Sequence, residues 1–242
     1  MKHGVLSNAP GAAGEFFQRD RTLHPPALTP GYKTSVTRSP KYALLSLQNS
    51  LSEITGPTFG HNDVGPLDND LILNYAHGGE PVGERIVVHG RVLDESGRGV
   101  PNTLVEFWQA NAAGIYPHPD DARSDEIEPG FRGWGRVISD FDTGLWRVQT
   151  VKPGSVMGRH GRRMAPHLNL WIVARGINIG LNTRIYFSDE EQANAADPVL
   201  NLVEQAARRP TLIATRELRD GKPVYRFDIR LQGEGETVFF DI

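Results

Sequence analysis

Ile86-Val87-Val88-His89-Gly90-Arg91-Val92-Leu93 is the run that sets the fold class of this chain, because β-branched and apolar side chains dominate it and a turn of Asp, Ser and Gly at 94–99 ends it. Such a run is typical of a β-strand. Similar short runs, each broken by Gly, Pro or Asp, follow at 103–110, 144–151, 167–174, 182–187, 224–231 and 237–240. Gly233-Glu234-Gly235-Glu236, between the last two runs, predicts a hairpin turn. The sequence therefore predicts a mostly β fold, an antiparallel β-sandwich.

The N-terminal part of the chain has a different composition. Residues 1–80 are rich in Pro, Gly, Ser and Asn and show little sustained periodicity, which favours irregular structure. One helix is predicted at 39–50, where Ser39 precedes Pro40 and leucines cluster. Because the segment is too apolar for a disordered tail, we expect an extended N-terminal arm that packs on its own β-sandwich domain, 81–242, or on a partner subunit.

A short helical insertion is predicted between two of the later strands. Ser188 is followed three residues later by Glu191, which is the spacing of a capping box. Asp197 and Pro198 then begin a second predicted helical segment, 197–207, with apolar side chains on one face.

Composition and charge narrow the classes of function. The formal net charge is −3 and charges of both signs are interspersed, which argues against nucleic acid or an anionic membrane as the partner. The chain has no cysteine, so disulfides and thiolate sites are excluded and any metal must be held by imidazole, phenolate or carboxylate. No apolar run is long enough to span a bilayer, and the first residues lack the core of a signal peptide. A cytoplasmic protein is therefore expected.

Three stretches at strand ends are candidates for a site, at 107–116, 151–156 and 164–171; the first carries Trp108 and Tyr116, and the third carries His167 and Trp171. In the third stretch His167 and Asn169 share one face, because side chains alternate along a strand. An amide is a poor ligand for a transition metal, and a single strand histidine is more often a hydrogen-bonded structural residue than a ligand. The motifs of phosphate loops, serine hydrolases and HExxH metalloproteases are absent from the sequence.

Two groups of longer motifs run along the chain. The first lies at 15–112 and comprises Ala27-Leu28-Thr29-Pro30-Gly31-Tyr32-Lys33-Thr34-Ser35, Gly83-Glu84-Arg85-Ile86-Val87-Val88 and Val100-Pro101-Asn102-Thr103-Leu104-Val105-Glu106. The second lies at 116–242 and comprises Met164-Ala165-Pro166-His167, Ala174-Arg175-Gly176-Ile177-Asn178-Ile179-Gly180, Asp197-Pro198-Val199-Leu200-Asn201-Leu202 and Gln232-Gly233-Glu234-Gly235-Glu236-Thr237-Val238-Phe239-Phe240-Asp241. Through these motifs the chain resembles the intradiol ring-cleaving dioxygenases, whose protocatechuate-cleaving members pair α and β chains of common ancestry. The first group resembles the catalytic β chain and the second the α chain.

The resemblance implies a non-haem iron(III) cofactor, which the catalytic β chain holds with two tyrosinates and two histidines. Carried over position by position, the first tyrosine falls on Tyr116 and the first histidine on His167. The second tyrosine falls on Val156 and the second histidine on Asn169. An arginine expected three residues before the first histidine falls on Met164. Half of the ligand set is therefore missing, as in the α chain, whose equivalent site is vestigial.

Further positions carry over from the same resemblance. Tyr32 and Trp108 match positions near the substrate pocket and are the predicted substrate-binding residues; the alternative is an arm anchor and a core tryptophan. Gly56-Pro57-Thr58-Phe59 lacks the tyrosine that the α chain contributes to its partner's pocket. His118 and His160 lie in Gly/Pro-rich loops and are expected to face solvent.

For function, the resemblance implies a subunit of an assembly that cleaves protocatechuate with O2 to 3-carboxy-cis,cis-muconate, in aromatic catabolism on the β-ketoadipate route. The implied partner is a homologous dioxygenase subunit in a hetero-oligomer. Tyr116 and His167 are then either two metal ligands or structural remnants. Two other interpretations stay open, a non-catalytic scaffold subunit and a hybrid of the α and β chains.

Overall fold

The computed structural model describes residues 59, 61–76, 78–158, 161–177 and 180–241, all within the unit Thr55–Ile242. β-Strands separated by turns and loops make up most of this region. The strands are β1 (Arg85–Leu93), β2 (Leu104–Trp108), β3 (Trp134–Ile138), β4 (Leu145–Val151), β5 (Val156–Met157), β6 (Arg163–Met164), β7 (His167–Val173), β8 (Leu181–Phe187), β9 (Ile213–Arg219), β10 (Lys222–Arg226) and β11 (Ile229–Arg230). The strands predicted at 86–93, 103–110, 144–151, 167–174 and 182–187 are confirmed to within a few residues.

Strand β1 lies at the centre of one part of the sheet. It pairs antiparallel with β4 on one side and parallel with β10 and β11 on the other. From β10 the order continues through β9, β8, β7 and β2 to β3, and β8–β9 is a third parallel pair. The mostly β, sandwich-like fold is confirmed. The pairing is mixed because the parallel neighbours are joined by long connections rather than by hairpins.

Side chains alternate along each strand, and those on the inner face fill the space that the sheet encloses. Along β7, Leu168, Leu170 and Ile172 lie in the core. Asn169 and Trp171 lie between them and are more exposed, as expected for a strand with only one face on the core. The other strands supply the rest of this core, namely Ile86, Val88, Val92, Val105, Phe107, Trp146, Val148, Ile185, Phe187, Ala214, Tyr225 and Ile229.

The segment 68–71 joins the outer edges of β3 and β4, which do not pair with each other. The Arg136 N–H of β3 donates to the Asp68 carbonyl at 2.8 Å, and the Leu71 N–H donates to the Gln149 carbonyl of β4 at 2.8 Å. The side chain of Leu71 is fully buried in the core. Together these contacts nearly close the sheet around its apolar interior.

The predicted strand at 224–231 is divided in two. The run divides into β10 and β11, because the Asp228 carboxylate accepts the Arg91 N–H at 3.0 Å and replaces a backbone partner there. The predicted turn at 233–236 is formed, with the Glu236 N–H donating to the Gly233 carbonyl at 3.0 Å, but the strand expected after it is not. The predicted strand at 237–240 is wrong: Phe240 makes one isolated bridge to Asn182, and the Thr237 hydroxyl, rather than a carbonyl, accepts the Arg230 N–H. Strands β3, β5, β6 and β9 were not predicted.

The helical insertion is present but is built differently from the prediction. Helix α1 spans Glu191–Ala196, and 3-10 helices follow at Leu200–Leu202 and Ala206–Leu212. The Ser188 hydroxyl does not cap α1; it accepts the Arg216 N–H of β9 at 2.9 Å. The predicted continuous segment 197–207 therefore holds one 3-10 turn and only the beginning of a second 3-10 helix, which continues to Leu212.

Several predictions fall outside the described residues, namely the helix at 39–50, Tyr32, and most of the arm 1–80. In the part of the chain that the structure describes, no helix combines the length and apolarity needed to cross a membrane.

Closure of the sheet by the segment 68–71 can be tested at Gly135, which faces it. A Cβ at Gly135 would collide with the Asp68 carbonyl oxygen and the Leu71 side chain. We expect Gly135→Ala to lower the free energy of unfolding by about 1–3 kcal/mol, the usual range for overpacking, measured by urea denaturation. Gly65→Ala is the matched control, since its Cβ would meet only the flexible Asp68 carboxylate at 3.3 Å. Equal stability of the two variants would contradict the proposed closure.

Candidate functional site

The candidate site lies on the outer face of β7, opposite the core. His167 and Asn169 project there because Leu168 between them points into the core. The neighbouring strands place Trp108 of β2 and Arg184 of β8 on either side of Asn169 in the sheet register. Side chains from three strands therefore meet at one point.

The loop after β2 brings Tyr116 to the same point. Asn111 begins the turn, and its side-chain oxygen accepts the N–H groups of Ala113 and Ile115 at 3.1 and 2.9 Å. Gly114 has a positive φ of 74°, and a Cβ there would collide with the Ser155 carbonyl of the loop that follows β4. Only glycine fits this conformation and close approach, so the turn is tight and the direction of Tyr116 is fixed.

Tyr116, His167 and Asn169 form a hydrogen-bonded group that we call the Tyr116 cluster. His167 Nδ1 lies 2.7 Å from the Ala165 carbonyl, which can only accept, so Nδ1 carries the proton. The other ring nitrogen, Nε2, then presents a lone pair, and the Tyr116 hydroxyl lies 3.2 Å from it. Tyr116 is therefore the donor and His167 the acceptor.

Asn169 completes the cluster as a donor. Its amide nitrogen lies 2.8 Å from the Tyr116 hydroxyl oxygen and 3.1 Å from the Trp108 carbonyl. The carbonyl can only accept, which fixes the orientation of the amide. The phenol of Tyr116 thus donates to one neighbour and accepts from the other.

Burial keeps the cluster uncharged. It raises the pKa of the Tyr116 phenol, an effect that the Asn169 hydrogen bond opposes. Burial, with the nearby Arg184 guanidinium, lowers the pKa of His167 to about 4. A neutral phenol beside a neutral imidazole agrees with the hydrogen bonds.

Asp197 holds in place the backbone that leads into β7, at Ala165. It is fully buried, and its carboxylate accepts the Ala165 N–H at 2.8 Å and the Tyr186 hydroxyl at 3.0 Å. The same carboxylate accepts the N–H groups of Val199 and Leu200 at 2.8 and 2.7 Å. Asp197 therefore connects the helical insertion to Ala165, the residue whose carbonyl fixes the tautomer of His167.

The position of the missing second tyrosine and the position of the expected arginine lie side by side. Val156 is buried and lies opposite Met164 in the β5–β6 pair. The Met164 sulfur accepts a hydrogen bond from Arg184 at 3.5 Å. Neither Val156 nor Met164 offers a hard oxygen or nitrogen donor of the kind iron(III) requires.

The residues present do not fit an iron(III) site. Of the expected ligand set, only the side chains of Tyr116 and His167 are metal donors, and they are hydrogen-bonded to each other. Asn169 turns its amide nitrogen, which has no lone pair to give, toward them. Over the described ranges, no group of three or more His, Asp or Glu side chains is arranged to hold a metal ion.

Trp108 forms the solvent-facing side of the site. The residue is 41% exposed, and its ring packs on Tyr116 with ring centroids 4.7 Å apart. His118 lies 6.0 Å from the same indole on an exposed turn, where its Nδ1 accepts the Asp120 N–H. His160 lies outside the described residues.

Sequence reasoning missed three residues that support this site, Asn111, Arg184 and Asp197. Asn111 and Asp197 each precede a turn, where Asn and Asp commonly accept backbone N–H groups, so a local signal was present. Arg184 had no local signal, because only the register of β8 against β7 places it beside Asn169.

Comparison with known families agrees with the two groups of motifs. A family model described as a dioxygenase matches residues 54–233. A second model, described as the N-terminal part of the protocatechuate 3,4-dioxygenase beta subunit, matches residues 17–50. The larger match covers well over half of the chain.

Curated relatives divide in the same way. The chain is 55% identical to the protocatechuate 3,4-dioxygenase alpha chain of Pseudomonas putida over 73% of this chain and 85% of the relative. It is 40% identical to the corresponding beta chain of Burkholderia cepacia over 90% of this chain and 94% of the relative. It is thus similar to both kinds of chain at once.

A solved structure shares the fold. The crystal structure of 3-chlorocatechol 1,2-dioxygenase from Rhodococcus opacus 1CP matches with a TM-score of 0.53 at 19% identity, over 69% of this chain and 64% of that one. At this identity the likeness concerns the fold alone. Taken with the family models and the curated relatives, these matches show that the chain belongs to the intradiol dioxygenase family, the family of the protocatechuate 3,4-dioxygenase alpha and beta chains.

Proposed function

We propose that this chain is a subunit of a protocatechuate 3,4-dioxygenase-type hetero-oligomer whose iron(III) is held by a homologous partner chain. The assembly would open the ring of protocatechuate with O2, giving 3-carboxy-cis,cis-muconate. The observation that carries the proposal is a contrast. The chain is 55% and 40% identical to alpha and beta relatives over most of its length, yet its own Tyr116 cluster offers two donors that are bonded to each other.

The metal donors that this chain offers determine which chain of the assembly would hold the iron. Ring opening by O2 needs a metal that binds the catecholate and acts as a Lewis acid. Two donors, one of them a phenol held neutral by burial, do not retain a hard trivalent ion. The partner chain would therefore supply the metal site. This chain would supply the surface on which the partner's site is assembled.

Trp108 is the residue through which this chain would contact an aromatic substrate. Its indole is exposed, and Tyr116 supports it from below. A flat ring that is fixed on one side and open on the other suits stacking of an aromatic acid. The second proposed substrate-binding residue, Tyr32, lies outside the described residues.

We expect Trp108→Ala to weaken binding of protocatechuate by about tenfold, or about 1.4 kcal/mol, the upper range for an aromatic pair. Isothermal titration calorimetry of the chain together with its partner measures this. Trp171→Ala is the matched control, because Trp171 lies on the same face of the sheet and is 40% exposed. Equal weakening by both variants, or by neither, would contradict the role of Trp108.

The central test compares the chain alone with the chain co-expressed with a beta-type partner. We expect no stoichiometric iron, no visible tyrosinate-to-iron absorption band and no O2 uptake with protocatechuate from the chain alone. The complex should show all three. Stoichiometric iron and turnover from the chain alone would overturn the proposal.

The same experiment separates the scaffold alternative. If no beta-type partner gives O2 uptake, the dioxygenase-subunit proposal fails and a non-catalytic scaffold remains. The hybrid interpretation is supported by a beta-type N-terminal match at 17–50 in a chain that is more similar in sequence to an alpha relative. A cytoplasmic location stays a prediction from the composition.

A further inference from the structure

The Tyr116 cluster has a property that neither missing ligand explains. Each hydrogen-bonding group that faces its centre has a partner: the Tyr116 hydroxyl donates to His167 and accepts from Asn169. We infer that Asn169, at the position of the second histidine, acts as a hydrogen-bond donor that keeps this site free of metal and makes the cluster a cross-link that needs no metal. This inference is independent of whether a partner chain supplies iron.

The first argument is the number of donors on the amide. A primary amide has two N–H donors, and Asn169 directs its nitrogen to the Trp108 carbonyl and to the Tyr116 hydroxyl. An ion placed between Tyr116 and His167 would face the hydrogens of this amide, which carry partial positive charge, and a nitrogen that has no available lone pair. Entry of a metal would also break the Tyr116–His167 hydrogen bond.

The second argument is charge. Arg184 lies opposite Asn169 in the β7–β8 register, and its guanidinium lies near enough to affect both Tyr116 and His167 electrostatically. A fixed cation beside the site disfavours a second cation. The Asp121 and Asp197 carboxylates act in the opposite sense, on Tyr116 and His167 respectively, but the effect of Arg184 is the larger on each.

The third argument is connectivity. Asn169 links β7 to the end of β2 through the Trp108 carbonyl, and to the loop at Tyr116 through its hydroxyl. His167 extends the link through Ala165 to Asp197 and the helical insertion. The cluster thus holds together segments that are distant in sequence, as a bound metal does in other proteins.

The test replaces the donor with an acceptor of the same shape. Asn169→Asp would turn carboxylate oxygens toward the Trp108 carbonyl and the Tyr116 hydroxyl, which is repulsive at the carbonyl but completes a set of phenolate, imidazole and carboxylate. We expect this variant to unfold at a lower temperature than the wild type in a chelator. Co²⁺ in hundredfold excess over its Kd should then raise its Tm by roughly 5–10 °C, with one Co²⁺ per chain and a visible absorption band.

The wild type and a second variant serve as controls. Co²⁺ and chelator should leave the Tm of the wild type unchanged. Asn169→Ala removes both donors without adding a ligand, so it should lose stability that Co²⁺ does not restore. If Asn169→Asp does not fold, the neutral Asn169→His variant is tested by the same criterion.

Two results would overturn the inference. One is stoichiometric Co²⁺ binding by the wild type with a rise in its Tm, since the asparagine would then not exclude a metal. The other is equal Co²⁺ binding by the acceptor variant and Asn169→Ala, since Tyr116 and His167 would then not be positioned around residue 169 as ligands. Both readouts are independent of dioxygenase activity.

Discussion

The alternation of side chains along β7 is the constraint on which the rest of the structure depends. Leu168, Leu170 and Ile172 must point inward to fill the core, which forces His167 and Asn169 onto the outer face. Slippage of β7 by one residue would exchange the two sets and place a histidine and an amide in the apolar interior. The same burial that stabilises the sheet therefore fixes where the polar cluster lies.

On that face, the supporting contacts fit an imidazole that presents Nε2 outward. The Ala165 carbonyl holds the proton on His167 Nδ1, as a carbonyl or carboxylate does for histidine ligands in metal sites generally. Here Nε2 accepts a hydrogen bond from the Tyr116 phenol. The backbone that orients the histidine is thus compatible with ligation, whereas Val156 and Asn169 supply no further ligand.

Most strands could be predicted from local sequence patterns, whereas most of the site could not. Runs such as 86–93 have a strong period-two or β-branched pattern and were correct, whereas 237–240 was wrong because the Thr237 hydroxyl replaces a backbone partner. The meeting of Tyr116 with His167 followed only from the family resemblance, since the two are far apart in the chain. The role of Asn169 as a donor could not be predicted, because it depends on the Trp108 carbonyl and on a register that local patterns do not encode.

The state of the His167 ring is the central claim, and nitrogen-15 NMR of histidine side chains measures it directly. The account predicts a neutral ring with the proton on Nδ1 and a hydrogen-bonded acceptor at Nε2, unchanged when iron(III) or Zn²⁺ is added to the chain. A proton on Nε2, or an Nε2 resonance that shifts or broadens stoichiometrically with added metal, would contradict it.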